Sequence, residues 1–158
     1  MPRRTDRRAL ADLLPPGAVL LGAPSATRDD VIRSVGGLLV GSGAVDSSYV
    51  SAMIERENSV STFVGEGVAL PHATFAAEGS VHRDAIAVLT LADPVDWDGD
   101  EVRVIVGLCA LGRGHIGILS RLASVLLDPT AVSGLADAGD EAEVRRLLTP
   151  AAAGSADG

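Results

Sequence analysis

Among the side chains here that can do chemistry near neutral pH, His72 stands in the most constrained setting. It closes the run Ser61-Thr62-Phe63-Val64-Gly65-Glu66-Gly67-Val68-Ala69-Leu70-Pro71-His72. Val68, Ala69 and Leu70 are an apolar run of the kind a short buried strand requires. Gly65 and Gly67 allow close backbone approach, and Pro71 fixes its own φ and keeps Leu70 extended. The imidazole is thereby predicted at a strand end. There it can serve as base, metal ligand or phosphoryl acceptor, since an ordinary pKa of about 6.5 leaves much of it neutral and nucleophilic at pH 7. The plain alternative is a histidine in an ordinary loop.

Two further groups are candidates to join it. Arg56 is predicted near the C-terminus of a helix, where a cation suits the helix dipole. A planar guanidinium can equally clamp an anion such as phosphate with two donors. His115 is predicted in the first turn of another helix, on the inward face shared by Ile118, Leu119 and Leu122. It is either a second imidazole aimed at the strand ends or a core-edge histidine bonded to backbone. His82, flanked by Val81 and Arg83 in a polar connection, is assigned to the surface.

Positioning these groups requires alternating strands and helices. Ala18–Leu21, closed by Gly22, is a short strand or a partly buried entry segment. Thr27 caps a helix carrying Val31, Ile32, Val35, Leu38 and Leu39 inward, with Asp29 and Asp30 in its first turn and Gly41-Ser42-Gly43 at its end. Gly36-Gly37 permits close packing on a neighbour. A second helix from Asp46 or Ser47 carries Tyr49, Val50, Met53 and Ile54 on one face. Ala85–Leu91 is a strand ended by Asp93-Pro94, and Asp96–Asp100 is a turn. Val102–Leu111 reads as a central strand covered on both faces and leads into the helix of His115. Asp128-Pro129 stops that helix, and short helices over Thr130–Ala138 and Asp140–Leu148 follow. The fold class expected is an α/β three-layer-like sandwich, a mixed, mostly parallel sheet with helices on both faces. Residues 1–16 are expected to be a flexible N-terminal segment, 17–149 one domain, and 150–158 a disordered tail.

Composition narrows the chemistry. With 21 acidic and 13 basic residues the net charge is -8, which argues against a nucleic-acid partner, and the basic residues are all Arg. The single cysteine, Cys109, excludes an intramolecular disulfide and a multi-cysteine zinc site, and its apolar neighbours predict an inert buried thiol. No run approaches the roughly 20 apolar residues that span a bilayer, so no membrane insertion is expected. The basic start at Arg3-Arg4 is not followed by the uninterrupted apolar stretch of an export signal, and a cytoplasmic location fits. The acidic turn at 96–100 lacks the spaced oxygens of a calcium loop. A metal-dependent hydrolase built on His72, His82 and His115 lacks ligands at helical spacing, so no metal is expected.

Arg56-Glu57, then Gly65-Glu66-Gly67-Val68-Ala69-Leu70-Pro71-His72, with Tyr49-Val50-Ser51-Ala52-Met53-Ile54 upstream and Gly114-His115 downstream, closely resembles the active-site segments of enzyme IIA components of bacterial sugar phosphotransferase systems, in the mannitol/fructose class. The resemblance covers roughly Asp29 to Leu148. Ala73 departs from it by standing where glycine is common. It implies that phosphohistidine on the carrier HPr donates its phosphoryl group to His72, which passes it to enzyme IIB of a sugar permease with no cofactor. Arg56 would clamp the group and His115 would donate a hydrogen bond to it. Glu66 matches a motif position, but a carboxylate beside a phosphoryl dianion repels it unless it orients His72 or Arg56, so its role is open. An alternative within the same resemblance is a nitrogen-type regulatory IIA protein whose phosphorylation state controls other proteins. Gly65-Glu66-Gly67 and Tyr49–Arg56 look more like the mannitol branch.

Overall fold

The long aliphatic runs pair with each other at the centre of the molecule. In a computed structural model of the chain, which describes residues 9–24, 26–73, 79–112 and 114–149, the strands are β1 (Val19–Ala23), β2 (Phe63–Gly65), β3 (Val68–Ala69), β4 (Ala85–Trp97) and β5 (Asp100–Cys109). They form one mixed sheet in the order β1-β4-β5-β3-β2. β4 and β5 are antiparallel, as are β2 and β3, whereas β1 runs parallel to β4 and β3 parallel to β5. The expected mixed sheet with flanking helices is present, with the two kinds of pairing in equal number among the described residues. Val102, Val104, Ile105, Val106 and Leu108 of β5 are buried, as a centrally placed strand covered on both faces requires.

The helices are α1 (Arg28–Gly41), α2 (Ser48–Ser59), α3 (Gly114–Leu126), α4 (Pro129–Ala136) and α5 (Glu141–Leu148). Thr27 caps α1 as predicted, its hydroxyl accepting from the Asp30 amide at 3.2 Å. A Cβ on Gly36 would lie 2.9 Å from Val50 Cγ2, so this glycine lets α1 and α2 approach at a distance no side chain allows. A Cβ on Gly107 of β5 would meet Val35 of α1 at 3.0 Å, which places α1 on that face of the sheet. Val104, three residues away and hence on the opposite face, borders a cavity with Val132 and Ala136 of α4. Both faces are therefore covered. Among the described residues, no single helix is long and apolar enough to cross a membrane.

Three expectations need correction. Asp93-Pro94 does not end β4. The chain bulges between Thr90 and Val95, where Ala92, Asp93 and Pro94 are exposed and the missing proline N–H costs nothing, and pairing resumes at Val95. The turn is accordingly only Asp98-Gly99, both at positive φ (58° and 102°), and Trp97 is fully buried. The described part of segment 1–16 is packed chain: Leu10–Leu13 form a 3-10 turn, Leu10, Leu13 and Leu14 are buried, and Arg145 donates to the carbonyls of Ala11 (2.9 Å) and Leu14 (2.7 Å). Three large apolar residues in five positions explain why this stretch docks. The tail at 150–158 lies outside the described residues.

Candidate active site

β3 stops at Ala69 because Pro71 cannot donate to a ladder, and the chain turns out of the sheet at His72. The backbone on either side of the histidine is held. Leu108 N–H of β5 donates to the Pro71 carbonyl at 3.1 Å. After the histidine, Ala73 N–H donates to Tyr49 Oη at 3.2 Å, and Tyr49 Oη donates to the Leu108 carbonyl at 2.8 Å. Burial pushes the Tyr49 phenol above its ordinary range, so it keeps the proton that this second bond uses.

His72 is 8 % exposed. Its Nδ1 lies 2.7 Å from the Leu70 carbonyl, which can only accept, so in the neutral ring Nδ1 carries the hydrogen and the lone pair is on Nε2. This arrangement leaves Nε2 as the ring nitrogen able to act as a base, ligand or nucleophile.

His72 borders a cavity of about 310 Å³ with Arg56, the loop Ser61–Val64, and Leu119 and Ala123 of α3. Arg56, in the last turn of α2, is the single charged group of this lining among the described residues. Its Nη1 donates to the Val60 carbonyl at 2.6 Å, which braces the helix end. That bond occupies one corner of the guanidinium, and among the described residues no carboxylate pairs with the remainder. One side chain thus braces a helix end and lines the cavity of His72. An imidazole nitrogen beside a cation, with no anion in the wall among the described residues, is a setting that suits an anionic ligand.

His115 lies in the first turn of α3, one turn before Leu119. α3 leaves the carboxyl end of β5, and His72 leaves the carboxyl end of β3, the parallel neighbour of β5, so the backbone brings positions 72 and 115 to one end of the sheet. The predicted inward aim of the His115 side chain lies outside the described residues. Glu66 is placed elsewhere. It turns the β2–β3 hairpin at φ 55° and borders a second cavity, of about 230 Å³, with Gly67, Pro94, Glu101 and Arg103. His82 is exposed, with Nε2 2.8 Å from Asp46 Oδ1, as a surface histidine.

Sequence reasoning gave no role to Glu57, Thr62 or Tyr49. Glu57 is 2 % exposed and accepts from Thr62 N–H (2.6 Å), Thr62 Oγ1 (2.6 Å) and Trp97 Nε1 (2.8 Å). The signal was available: Tyr49, Met53 and Glu57 recur every four residues, so a carboxylate falls on the apolar stripe of α2. Cys109 is buried, its thiol pushed up to about 12 mainly by that burial, as the apolar context predicted.

Comparison with known proteins places the chain in a family. Residues 12–150 match the family described as "Phosphoenolpyruvate-dependent sugar phosphotransferase system, EIIA 2". A mannitol-specific phosphotransferase enzyme IIA component from Halalkalibacterium halodurans is 38% identical over 126 residues, spanning 80% of this chain and 87% of the relative. Among solved structures, the complex of enzyme IIAMTL and phosphorylated enzyme IIBMTL from Escherichia coli matches with a TM-score of 0.80 at 30% identity, over 85% of this chain and 96% of that one. The nitrogen regulatory protein IIA-Ntr from Neisseria meningitidis matches with a TM-score of 0.75 at 26% identity, over 88% and 98%. The chain belongs to the EIIA 2 family of the phosphoenolpyruvate-dependent sugar phosphotransferase system.

Proposed function

We propose that this protein is the phosphoryl-carrying IIA component of a mannitol- or fructose-type permease, and that His72 Nε2 takes a phosphoryl group from phosphohistidine on HPr and gives it to enzyme IIB in the cytoplasm. The observation that carries the reading is the buried imidazole whose Nδ1–H is committed to the Leu70 carbonyl, in a cavity whose one charge among the described residues is Arg56.

The step is a displacement at phosphorus. The Nε2 lone pair forms the new P–N bond as the P–N bond to the donor imidazole breaks, and the donor nitrogen leaves with the electron pair. The ring of His72 becomes more positive as it attacks, and the Leu70 carbonyl, bonded to Nδ1–H, stabilises that charge without any proton having to move. Arg56 faces the three equatorial oxygens, which carry most of the charge in a loose phosphoryl-transfer transition state. His115, at the start of α3, donates a hydrogen bond to the same group, helped by the N–H groups of the helix terminus. Glu66, at the hairpin turn over the second cavity, has no part in the transfer itself.

A nitrogen-type regulatory role is the second reading, favoured by the similarity to IIA-Ntr. The mannitol-type assignment is supported by the more similar relatives, whose names carry that sugar, and by Gly65-Glu66-Gly67. The test is a reconstituted relay. Protein charged by phosphoenolpyruvate, enzyme I and HPr should discharge onto a IIB domain of the mannitol/fructose class within seconds. Failure to discharge onto any such IIB, with normal charging, would contradict the transport role.

A further inference from the structure

Glu57 is the one buried carboxylate among the described residues, and no cation pairs with it there. Its three partners are all donors: a backbone N–H, a hydroxyl, and the indole N–H of Trp97. Two of them, the Thr62 N–H and the indole N–H, can only donate, and both converge on Oε2, so this position needs an accepting oxygen. A glutamine could keep both on its amide oxygen and turn its NH2 to the Thr62 hydroxyl, which can also accept, whereas an apolar residue would strand both N–H groups in the core.

The same bonds lead to the reacting ring. Thr62, fixed by Glu57, borders the cavity, and its carbonyl accepts from Leu70 N–H at 3.1 Å. Leu70 in turn accepts the Nδ1–H of His72 at 2.7 Å. On its other side Glu57 belongs to the last helical turn of α2 together with Arg56, whose guanidinium braces Val60 in the loop that leads to Thr62. One carboxylate therefore ties the turn bearing the cation to the loop that orients the nucleophile. A well-packed apolar cluster would fill this volume without the cost of burying a polar group. What the carboxyl adds is a single geometry.

We propose that Glu57 is a positioning residue for phosphoryl transfer, acting through Thr62 and Leu70 on the tautomer and orientation of His72. This rests on the phosphocarrier reading of His72. Selective 15N labelling of histidine reports the His72 tautomer before any phosphorylation, and single-turnover charging by phospho-HPr reports the rate. In Glu57→Leu, which removes both oxygens, and in Thr62→Val, the His72 ring shifts should move from a single Nδ1–H tautomer toward a mixture, and charging should slow on the order of 10- to 100-fold, as a sub-ångström misplacement does. Val144→Ala, in the buried face of α5 away from the cavity, should lower Tm while leaving both readouts unchanged.

If Glu57→Leu does not fold, Thr62→Val carries the test, since it removes only the hydroxyl bond. Folded variants with wild-type ring shifts and wild-type charging would overturn the proposal, and so would slowing that merely tracks Tm as in Val144→Ala. Wild-type protein that takes no phosphoryl group on His72 would remove the phosphocarrier reading, while the ring shifts would still decide for or against Glu57.

Discussion

Replacing Arg56 by alanine separates the two jobs that the structure gives this side chain. The structural job is small. Arg56→Ala loses one partly exposed hydrogen bond to the Val60 carbonyl, worth about 1 kcal/mol, and a helix-end cation, worth about 0.3–1 kcal/mol. For a chain of this length about 1–2 kcal/mol lowers Tm by roughly 2–8 °C. The electrostatic job is larger. Among the described residues Arg56 is the single charge lining the His72 cavity, and removing a preorganised donor to a developing anion costs on the order of 10²–10³ in rate, about 2.7–4 kcal/mol. Rapid-quench charging by phospho-HPr at saturating donor, beside a thermal melt of the same sample, measures both. Arg56→Lys, which keeps the charge but loses the planar fork, should fall between the two. Charging within threefold of wild type, in a variant whose Tm has dropped as calculated, would refute the assignment and leave Arg56 as a helix brace only.

Tyr49→Phe should destabilise by about 1–3 kcal/mol, because it strands the buried Ala73 N–H and Leu108 carbonyl, and chemical denaturation reads this directly. Glu66→Gln should slow charging at least tenfold less than Arg56→Ala does, since Glu66 borders the other cavity, and the same quench assay compares them. Cys109 should resist thiol reagents at pH 8 until the protein is unfolded. Because burial raises its folded pKa from 9.0 to about 12, its contribution to stability is intact below pH 9 and is lost as pH rises from 9 toward 12, which denaturation midpoints across that range would follow. On phosphorylation of His72 the ring resonances of His115 should shift, and an unchanged His115 spectrum would remove it from the site.

The strongly patterned parts of the chain were legible. The aliphatic run 102–109 could only be a covered strand, Thr27 announced α1, and Pro71 behind Val68–Leu70 located the strand end that presents His72. What escaped was held by contacts distant in sequence. β2 is three residues long, too short for any periodicity, and exists because β3 offers it a partner. Asp93-Pro94 carries the local signature of a strand end, but β5 continues alongside it, so tertiary pairing turns a stop into a bulge. The 3-10 turn at Leu10–Leu13 depends on Arg145 more than 130 residues away. In the site, the motif residues were visible as types at spacings, whereas the Glu57–Thr62–Trp97 cluster needs a partner 40 residues from the carboxylate.

The central claim is that His72 carries the phosphoryl group on Nε2 while Nδ1–H stays bonded to Leu70. The most direct measurement is 15N-histidine NMR of the protein after charging by phosphoenolpyruvate, enzyme I and HPr, with phosphorus coupling read at each ring nitrogen. One acid-labile phosphoryl group, coupled to Nε2 of His72 and absent from His72→Ala, is the predicted result. Phosphorus on Nδ1, on His82 or on His115, or normal charging of His72→Ala, would contradict it.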